Sequence, residues 1–490
     1  MQTVEILPEL KEYDLEKEKR KIISVLRKVM NACKSCGQCL INCKFHDYSE
    51  IDARDIMKEV KEYVFSKNMK KKLSKKVKRF IWNCGICEHC NLYCPLSIEK
   101  KMPRSVWIVL LRATLVKNGQ APFIIKIINS FFRDINNPIL KNIWPIIAKL
   151  NVPDWYSTKN PIHVKIRDAI EKARKLPEKS AEICFFGGCG HTWGSPDVVY
   201  QMISILEESK VDFITIGNSD YCCGTPYAIL GFYDVWMDQM NRLLINYLKL
   251  KPRPKTLLLQ CPGCTTIHMF DMSKYGVDLP LDYLRKMPNG VEMQHVTEYA
   301  LTLVKEGKIN LKNPIPMTVT YNDNCSIGRR LELVGRPIYD EPRELLNSIP
   351  EIKLIESDYI RENAFCCGSM ARNSPKKYEV YEELYKNILE KGSDILLTPC
   401  MGCVSSFKKG ANRLGNKLKH KILIMDILHL VNRSLGNEIP KRQKMTKGSI
   451  IKKIIKTGAY KDIYRLIKET LIYMLFPKKY NPHKYDKNQR

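Results

Sequence analysis

Cys222-Cys223-Gly224, preceded by Cys189 and followed by Cys261-Pro262-Gly263-Cys264, is the run on which the reading of this chain turns. The pattern returns as Cys325, then Cys366-Cys367-Gly368, then Cys400-Met401-Gly402-Cys403. Two adjacent cysteines between a distant single one and a distant C-x-G-C are rare by chance. A second copy in the same order nearly removes chance as the explanation. Five thiols converging on one point indicate a metal–sulfur site rather than core packing. Adjacent cysteines cannot both serve one iron comfortably, so they suit two irons of an opened cluster. Gly224 and Gly368 permit an unusual backbone angle and a close approach of amides to sulfide, and Gly263 and Gly402 do the same in each C-x-G-C.

Upstream, Cys33-x2-Cys36-x2-Cys39-x3-Cys43 and Cys84-x2-Cys87-x2-Cys90-x3-Cys94-Pro95 both match the ferredoxin run C-x2-C-x2-C-x3-C. Three thiols on a tight loop can face one iron–sulfur cube, and the fourth must arrive from elsewhere. In two-cluster ferredoxins the fourth cysteine of each run serves the other cluster. One [4Fe-4S] cubane is therefore expected on Cys33, Cys36, Cys39 and Cys94, and a second on Cys84, Cys87, Cys90 and Cys43. Eight ferredoxin-type cysteines and ten in the repeats make eighteen of nineteen. The remaining one, Cys184, lies in Glu182-Ile183-Cys184-Phe185-Phe186 and reads as a thiol packed in a buried strand.

Rival chemistries fit less well. Cys261-Pro262-Gly263-Cys264, after a strand and opening a helix, is also the form of a thioredoxin-type redox pair, but the duplicated Cys-Cys-Gly partner argues against it. A zinc site would take four ligands, and the C-x2-C-x2-C triplet over-supplies one loop. Clustered thiols at ferredoxin spacing fit a reducing compartment rather than a disulfide scaffold. The start, Met1-Gln2-Thr3-Val4-Glu5-Ile6-Leu7, has no apolar signal region behind a basic start, so a cytoplasmic location is expected.

The charge is informative. The net value is +29, with the lysines dispersed and no nucleic-acid-binding module present, so nucleic acid is not an expected partner. No apolar run approaches the ~18 residues that span a bilayer. An anionic membrane face, an acidic partner protein or an anionic substrate suits the charge. A lysine-rich solvated surface of a heat-adapted organism suits it as well.

At 490 residues the chain exceeds one core. The expected fold class is α+β multidomain, with an all-helical domain followed by two pseudo-repeated α/β domains. Residues 1–117 read as the helical ferredoxin-type domain, with helices over 1–30, 50–82 and 103–117. Residues 118–180 form a connector rich in prolines and aromatics. Residues 181–310 and 311–436 are the two repeats. Strands are expected at Ile183 to Phe186, Phe213 to Ile216, Thr256 to Leu259, Met317 to Tyr321 and Ile395 to Leu397, alternating with helices such as Ser195 to Glu208, Asp234 to Leu248 and Lys376 to Leu389. The cysteine motifs then fall at the carboxyl ends of parallel strands, where ligand sites lie. Residues 437–490 form a basic amphipathic tail, suited to a membrane surface or a partner, or to folding back on the domain.

The span from Cys33 to Cys403 resembles the D-subunit family of heterodisulfide reductase: a two-cluster ferredoxin domain fused to two Cys-Cys-Gly domains. It is similar also to the iron–sulfur subunits of the sulfite-reduction membrane complex, glycolate oxidase and anaerobic glycerol-3-phosphate dehydrogenase. The resemblance implies two noncubane [4Fe-4S] clusters, one on Cys189, Cys222, Cys223, Cys261 and Cys264, the other on Cys325, Cys366, Cys367, Cys400 and Cys403. In these reductases the pair splits a disulfide, one sulfur going to each cluster. The implied role is an oxidoreductase acting on a disulfide or on thiols, within a complex holding a membrane cytochrome b–like or a flavoprotein subunit. An electron-transfer subunit for a flavin-dependent 2-hydroxy acid or glycerol-3-phosphate dehydrogenase is the alternative, and a thiol-rich sensor a third. Two departures flank the second motif. Gly368-Ser369-Met370-Ala371-Arg372 stands where relatives often have a glycine-rich run. Tyr321-Asn322-Asp323-Asn324-Cys325-Ser326-Ile327-Gly328-Arg329-Arg330 stands where His-Asp-Pro-Cys is common. Arg329, Arg330 and Arg372 are candidates for binding an anionic substrate end, and His191 for moving a proton.

Overall fold

The computed structural model describes residues 15–100, 104–126, 179–216, 222–269, 291–371, 376–418, 421–437 and 457–475, with single positions between these spans. Its first part holds α1 (Leu15–Ala32), α2 (Gln38–Ile41), α3 (Glu50–Phe65), α4 (Lys75–Asn83), α5 (Pro95–Lys100) and α6 (Arg104–Lys117). In α3 the Ser49 hydroxyl accepts from the Asp52 N–H, and Glu50 and Asp52 stand in the first turn, where the helix dipole favours them. Ala53, Ile56, Met57, Val60, Tyr63 and Val64 recur at helical spacing and are buried. The helix expected over 50–82 is broken. α3 ends at Phe65, and Asn68 and Met69 take left-handed angles (φ 54° and 51°) that no right-handed helix continues through.

Each repeat folds as a four-stranded parallel sheet. The first orders β1 (Ile183–Phe186), β2 (Phe213–Ile216), β3 (Thr256–Leu259) and β4 (Glu292–His295) as β2-β1-β3-β4. The second orders β5 (Thr318–Tyr321), β6 (Lys353–Leu354), β7 (Ile395–Thr398) and β8 (Leu423–Asp426) as β6-β5-β7-β8, the same topology. β1 and β7 are buried at every position, as strands covered on both faces must be. β4 and β8, at sheet edges, alternate between buried and more open positions. Cys189, Cys261, Cys325 and Cys400 follow β1, β3, β5 and β7 closely, at their carboxyl ends. Cys184 sits inside β1 with no exposure, as a core thiol.

One apolar core joins α1, α3, α4 and α6 to the helix Tyr233–Leu248 and to Ile327 and Leu331 of the second repeat. A second core lies between the repeats and includes Phe185, Val199, Val319, Tyr321, Leu397 and Leu428. Arg112 on α6 is a buried tie: it donates to the carbonyls of Ile81 (2.7 Å), Cys84 (2.9 Å) and Ile229 (2.8 Å). The connector expected over 118–180 lies in large part outside the described residues, as does most of Ile450 to Ile455. The tail contributes the helix Ala459–Leu475, whose Tyr460, Tyr464, Ile467 and Leu471 are each at least half exposed. Among the described residues no helix is long and apolar enough to cross a membrane.

Candidate metal centres

The two ferredoxin-type loops share one backbone path. Ser35 and Gly37 after Cys33, and Ile86 and Glu88 after Cys84, all take left-handed angles (φ 52°, 77°, 45° and 61°). Such angles are costly outside glycine and persist only where the surroundings over-determine them. Here they turn the Ser35 and Ile86 amides onto the sulfurs of Cys33 and Cys84, each at 3.4 Å. Cys33, Cys36, Cys39 and Cys94 line one cavity of about 100 Å³. Burial, with the neighbouring thiols adding and Arg104 opposing, pushes Cys39 up to about 11. Cys43 is pushed up to about 12 by burial and then by Cys87 and Cys84.

The repeats gather their thiols more tightly. In the first, Cys189 Sγ stands 3.5 Å from Cys222 Sγ, and Cys223 Sγ 3.1 Å from Cys264 Sγ. In the second, Cys367 Sγ and Cys403 Sγ are 3.1 Å apart. In both, the Cys-Cys-Gly turn aims the glycine amide at the first sulfur: Gly224 N to Cys222 and Gly368 N to Cys366, each at 3.4 Å. Gly224 has φ 79°, and a Cβ there would meet the Trp236 ring and lie 2.9 Å from the Trp236 carbonyl. Hydrogen bonds from Cys264 and then His191 hold the Cys261 thiol well below its usual range. Those from Cys366 and Cys403 do the same for Cys367. Cys222, Cys264, Cys366 and Cys403 are driven well above it by the same crowding. Thiols this close compete for one another's protons, and thiolate–metal bonds resolve that competition.

The parts meet at the sites. His191 is fully buried; its Nε2 accepts from the Met401 amide of the other repeat at 3.4 Å, and its ring stands beside Cys261. Reciprocally, Thr266, in the first repeat's helix Pro262–Met269, donates to the Ser326 carbonyl at 2.8 Å, one residue after Cys325. The second ferredoxin-type loop docks on the second repeat, with Cys87 facing Cys366. Arg329 Nε donates to the Cys87 carbonyl at 2.9 Å, and its Nη1 to Ala364 (2.7 Å) and Glu362 (3.0 Å). Arg330 donates to the Ile86 carbonyl and to Ser326 Oγ. These two arginines are only 4 % and 9 % exposed, so they are docking struts and do not present an anion site to solvent. Arg372 lies outside the described residues.

Two features of this region lay beyond sequence reasoning. Asp323 takes a two-pronged ion pair from Arg343 (2.7 and 2.8 Å) and bonds the Arg361 amide, fixing the turn before Cys325. Arg104 is buried against the Phe80 and Trp107 rings, with its field on Cys39, Cys90, Cys84 and Cys43. The only signal for Arg104 was a cation at the head of an apolar helix directly after the second cluster loop.

The cysteine-rich domain family matches residues 183–267 and 319–408, one match per sheet. The D-subunit of the Methanosarcina barkeri dihydromethanophenazine:CoB–CoM heterodisulfide reductase is 26 % identical over 83 % of this chain and 94 % of its own length. The B-subunit of the fumarate reductase (CoM/CoB) of Methanothermobacter marburgensis is 24 % identical over 84 % of this chain and 73 % of its own. The EtfAB:quinone oxidoreductase of Syntrophomonas wolfei is 26 % identical over 65 % of this chain and 40 % of its own. With paired cysteine-rich domains behind two ferredoxin-type cysteine loops, the chain is similar to the D-subunits of heterodisulfide reductase and is an iron–sulfur electron-transfer oxidoreductase.

Proposed function

We propose that the chain is the disulfide-active subunit of a reductase complex. The observation that carries this reading is the convergence of two complete five-thiol sets on facing repeats, with a ferredoxin-type loop docked against one of them. Cys33, Cys36, Cys39 and Cys94 would hold one cubane, and Cys84, Cys87, Cys90 and Cys43 the other. Cys189, Cys222, Cys223, Cys261 and Cys264 would hold one noncubane cluster, and Cys325, Cys366, Cys367, Cys400 and Cys403 its counterpart. When bound, the clusters pass single electrons along the chain and offer iron to sulfur in the repeats.

The net reaction breaks one S–S bond, consumes two electrons and two protons, and yields two thiols; thiol oxidation is its reverse. The residues supply a dry, rigid frame. Arg329 and Arg330 hold the second ferredoxin-type loop on the second repeat. His191 stands beside the first set with Nδ1 free of any partner among the described residues, a nitrogen able to hand on a proton. The relatives are subunits of larger reductases, which supports a redox partner, either cytochrome b–like or a flavoprotein. The substrate is a small or protein-bound disulfide, and the location cytoplasmic or peripheral at the membrane.

The test is an oxygen-free preparation with an iron count, and electron paramagnetic resonance during oxidation with and without thiols. About sixteen irons, four clusters of four, with a thiol-dependent signal support the reading. About eight irons and no thiol-dependent signal overturn it, leaving an electron relay to a flavoprotein.

A further inference from the structure

We propose that Arg104 and Arg329 are charge bridges, one at each junction of the relay, that raise the reduction potentials of the clusters on both sides. The inference rests on the ligand sets given under the proposed function.

Arg104 is 5 % exposed, and its guanidinium carbon lies 4.8 Å from the Phe80 ring centre and 5.1 Å from that of Trp107. Its field falls on Cys39 of the first set and on Cys90, Cys84 and Cys43 of the second. Among the described residues no carboxylate pairs with it, and its Nε and Nη1 have no hydrogen-bond partner. A guanidinium buried without a counter-ion costs several kcal/mol. The thiolates of the two sets between which it stands face its charge, and the buried Glu88 carboxylate, which accepts from the Arg104 amide at 2.9 Å, lies beside the same cysteines.

Arg329 repeats the arrangement at the next junction. Its Nε and Nη1 bond backbone carbonyls, while Nη2 is buried without a partner. Its charge faces Cys87 on one side and Cys325 and Cys366 on the other, and no carboxylate pairs with it among the described residues. A thiolate-bound cluster site is net negative and gains one more negative charge with each electron. A fixed positive charge in a dry setting therefore favours the reduced form. Guanidinium does not lose its proton in proteins, so the bias is permanent. Placed between two sites, it biases both and softens the repulsion an electron meets in passing from one to the next.

The experiment is a redox titration of the holoprotein, full chain and oxygen-free, followed by electron paramagnetic resonance, with iron counted in every sample. Arg104→Gln is expected to lower the reduced-to-oxidised ratio at a given potential at least tenfold at both ferredoxin-type clusters, about 59 mV for a one-electron couple. The clusters of the repeats stay unmoved. Arg329→Gln is expected to shift the second ferredoxin-type cluster and that of the second repeat, and not the first cluster. Full iron with unmoved midpoints overturns the inference alone. Wild-type protein lacking the ferredoxin-type iron overturns the ligand sets beneath it. Should a glutamine variant shed its iron, the lysine variant decides: iron and midpoints kept support the assignment, and iron lost or midpoints shifted assign the arginine to packing.

Discussion

Asn324 Nδ2 donates to Cys403 Sγ at 3.3 Å, so the turn carrying the single cysteine of the second set reaches the far cysteine of the same set. The Asn324 Oδ1 accepts from the Ser326 amide at 2.8 Å and from the Ile327 amide at 3.4 Å, bracing that turn. One side chain thus shapes the loop and touches a proposed ligand. Asn324→Ala is expected to destabilise the protein by about 2 kcal/mol and to lower the potential of the second-repeat cluster. Asn324→Asp keeps the acceptor and loses the donor, so it is expected to leave the melting temperature nearer wild type while still lowering that potential. Thermal unfolding and a redox titration of both variants check this.

Gly224→Ala should fail at the backbone. Its φ of 79° strains any L side chain, and the added methyl meets Trp236. A loss of about 3 kcal/mol or more, with iron missing from the first repeat, is expected. Gly307, also left-handed at φ 66°, has nothing within 4 Å of its Cβ direction. Gly307→Ala is therefore expected to cost only about 1 kcal/mol and to keep its iron.

Arg330→Ala leaves the buried Ile86 carbonyl without its donor. The expected cost is about 1.5–3 kcal/mol. Amide hydrogen exchange over residues 84–94 should quicken more than over the first repeat. The Km for any anionic substrate should stay unchanged, which separates a strut from an anion receptor.

His295 caps the helix that follows β4, its Nδ1 accepting from the Thr297 amide at 3.3 Å. Burial, then the charge of His191, holds it down at about 3. The folded pKa lies below the unfolded value of 6.5, so the unfolded chain binds more protons between them. The stability from a neutral His295 is therefore present above pH 6.5 and is lost as pH falls toward 3. Going from pH 7 to pH 5 is expected to remove about 2 kcal/mol through this residue. His295→Asn should flatten that limb in anaerobic denaturation curves.

The exposed stripe of Tyr460, Tyr464, Ile467 and Leu471 lies on a helix that also carries Lys461, Arg465 and Lys468. Sedimentation with anionic vesicles, and release of the protein by salt, are the expected behaviour. Tyr464→Glu with Ile467→Glu should abolish the sedimentation and leave the iron content alone.

The sequence disclosed what is local. Both cysteine runs, the Cys-Cys-Gly turns and the buried strands β1 and β3 carry patterns a few residues long. β4, β6 and β8 escaped notice because edge strands are short and half-exposed, and β6 spans two residues. The break after Phe65 was masked by continuing helical composition through the basic run. The docking contacts were invisible for a different reason. Arg329 meets the carbonyl of Cys87 across 242 positions, and a backbone carbonyl leaves no mark in the residue types around it. Arginines near cysteines therefore read as substrate ligands, when burial and backbone partners make them struts.

The reciprocal grip between the repeats, His191 against Met401 and Thr266 against Ser326, joins two cysteine sets that the chain's duplication made separately. Each half sends a side chain to the backbone beside a cysteine of the other. A slight rocking of one repeat on the other would widen both sites at once, and neither could be opened alone. The geometry of the two cysteine sets is in that sense a single mechanical coordinate. An insertion that shifted the seam by one helical turn would disable both halves together, even with every cysteine left in place.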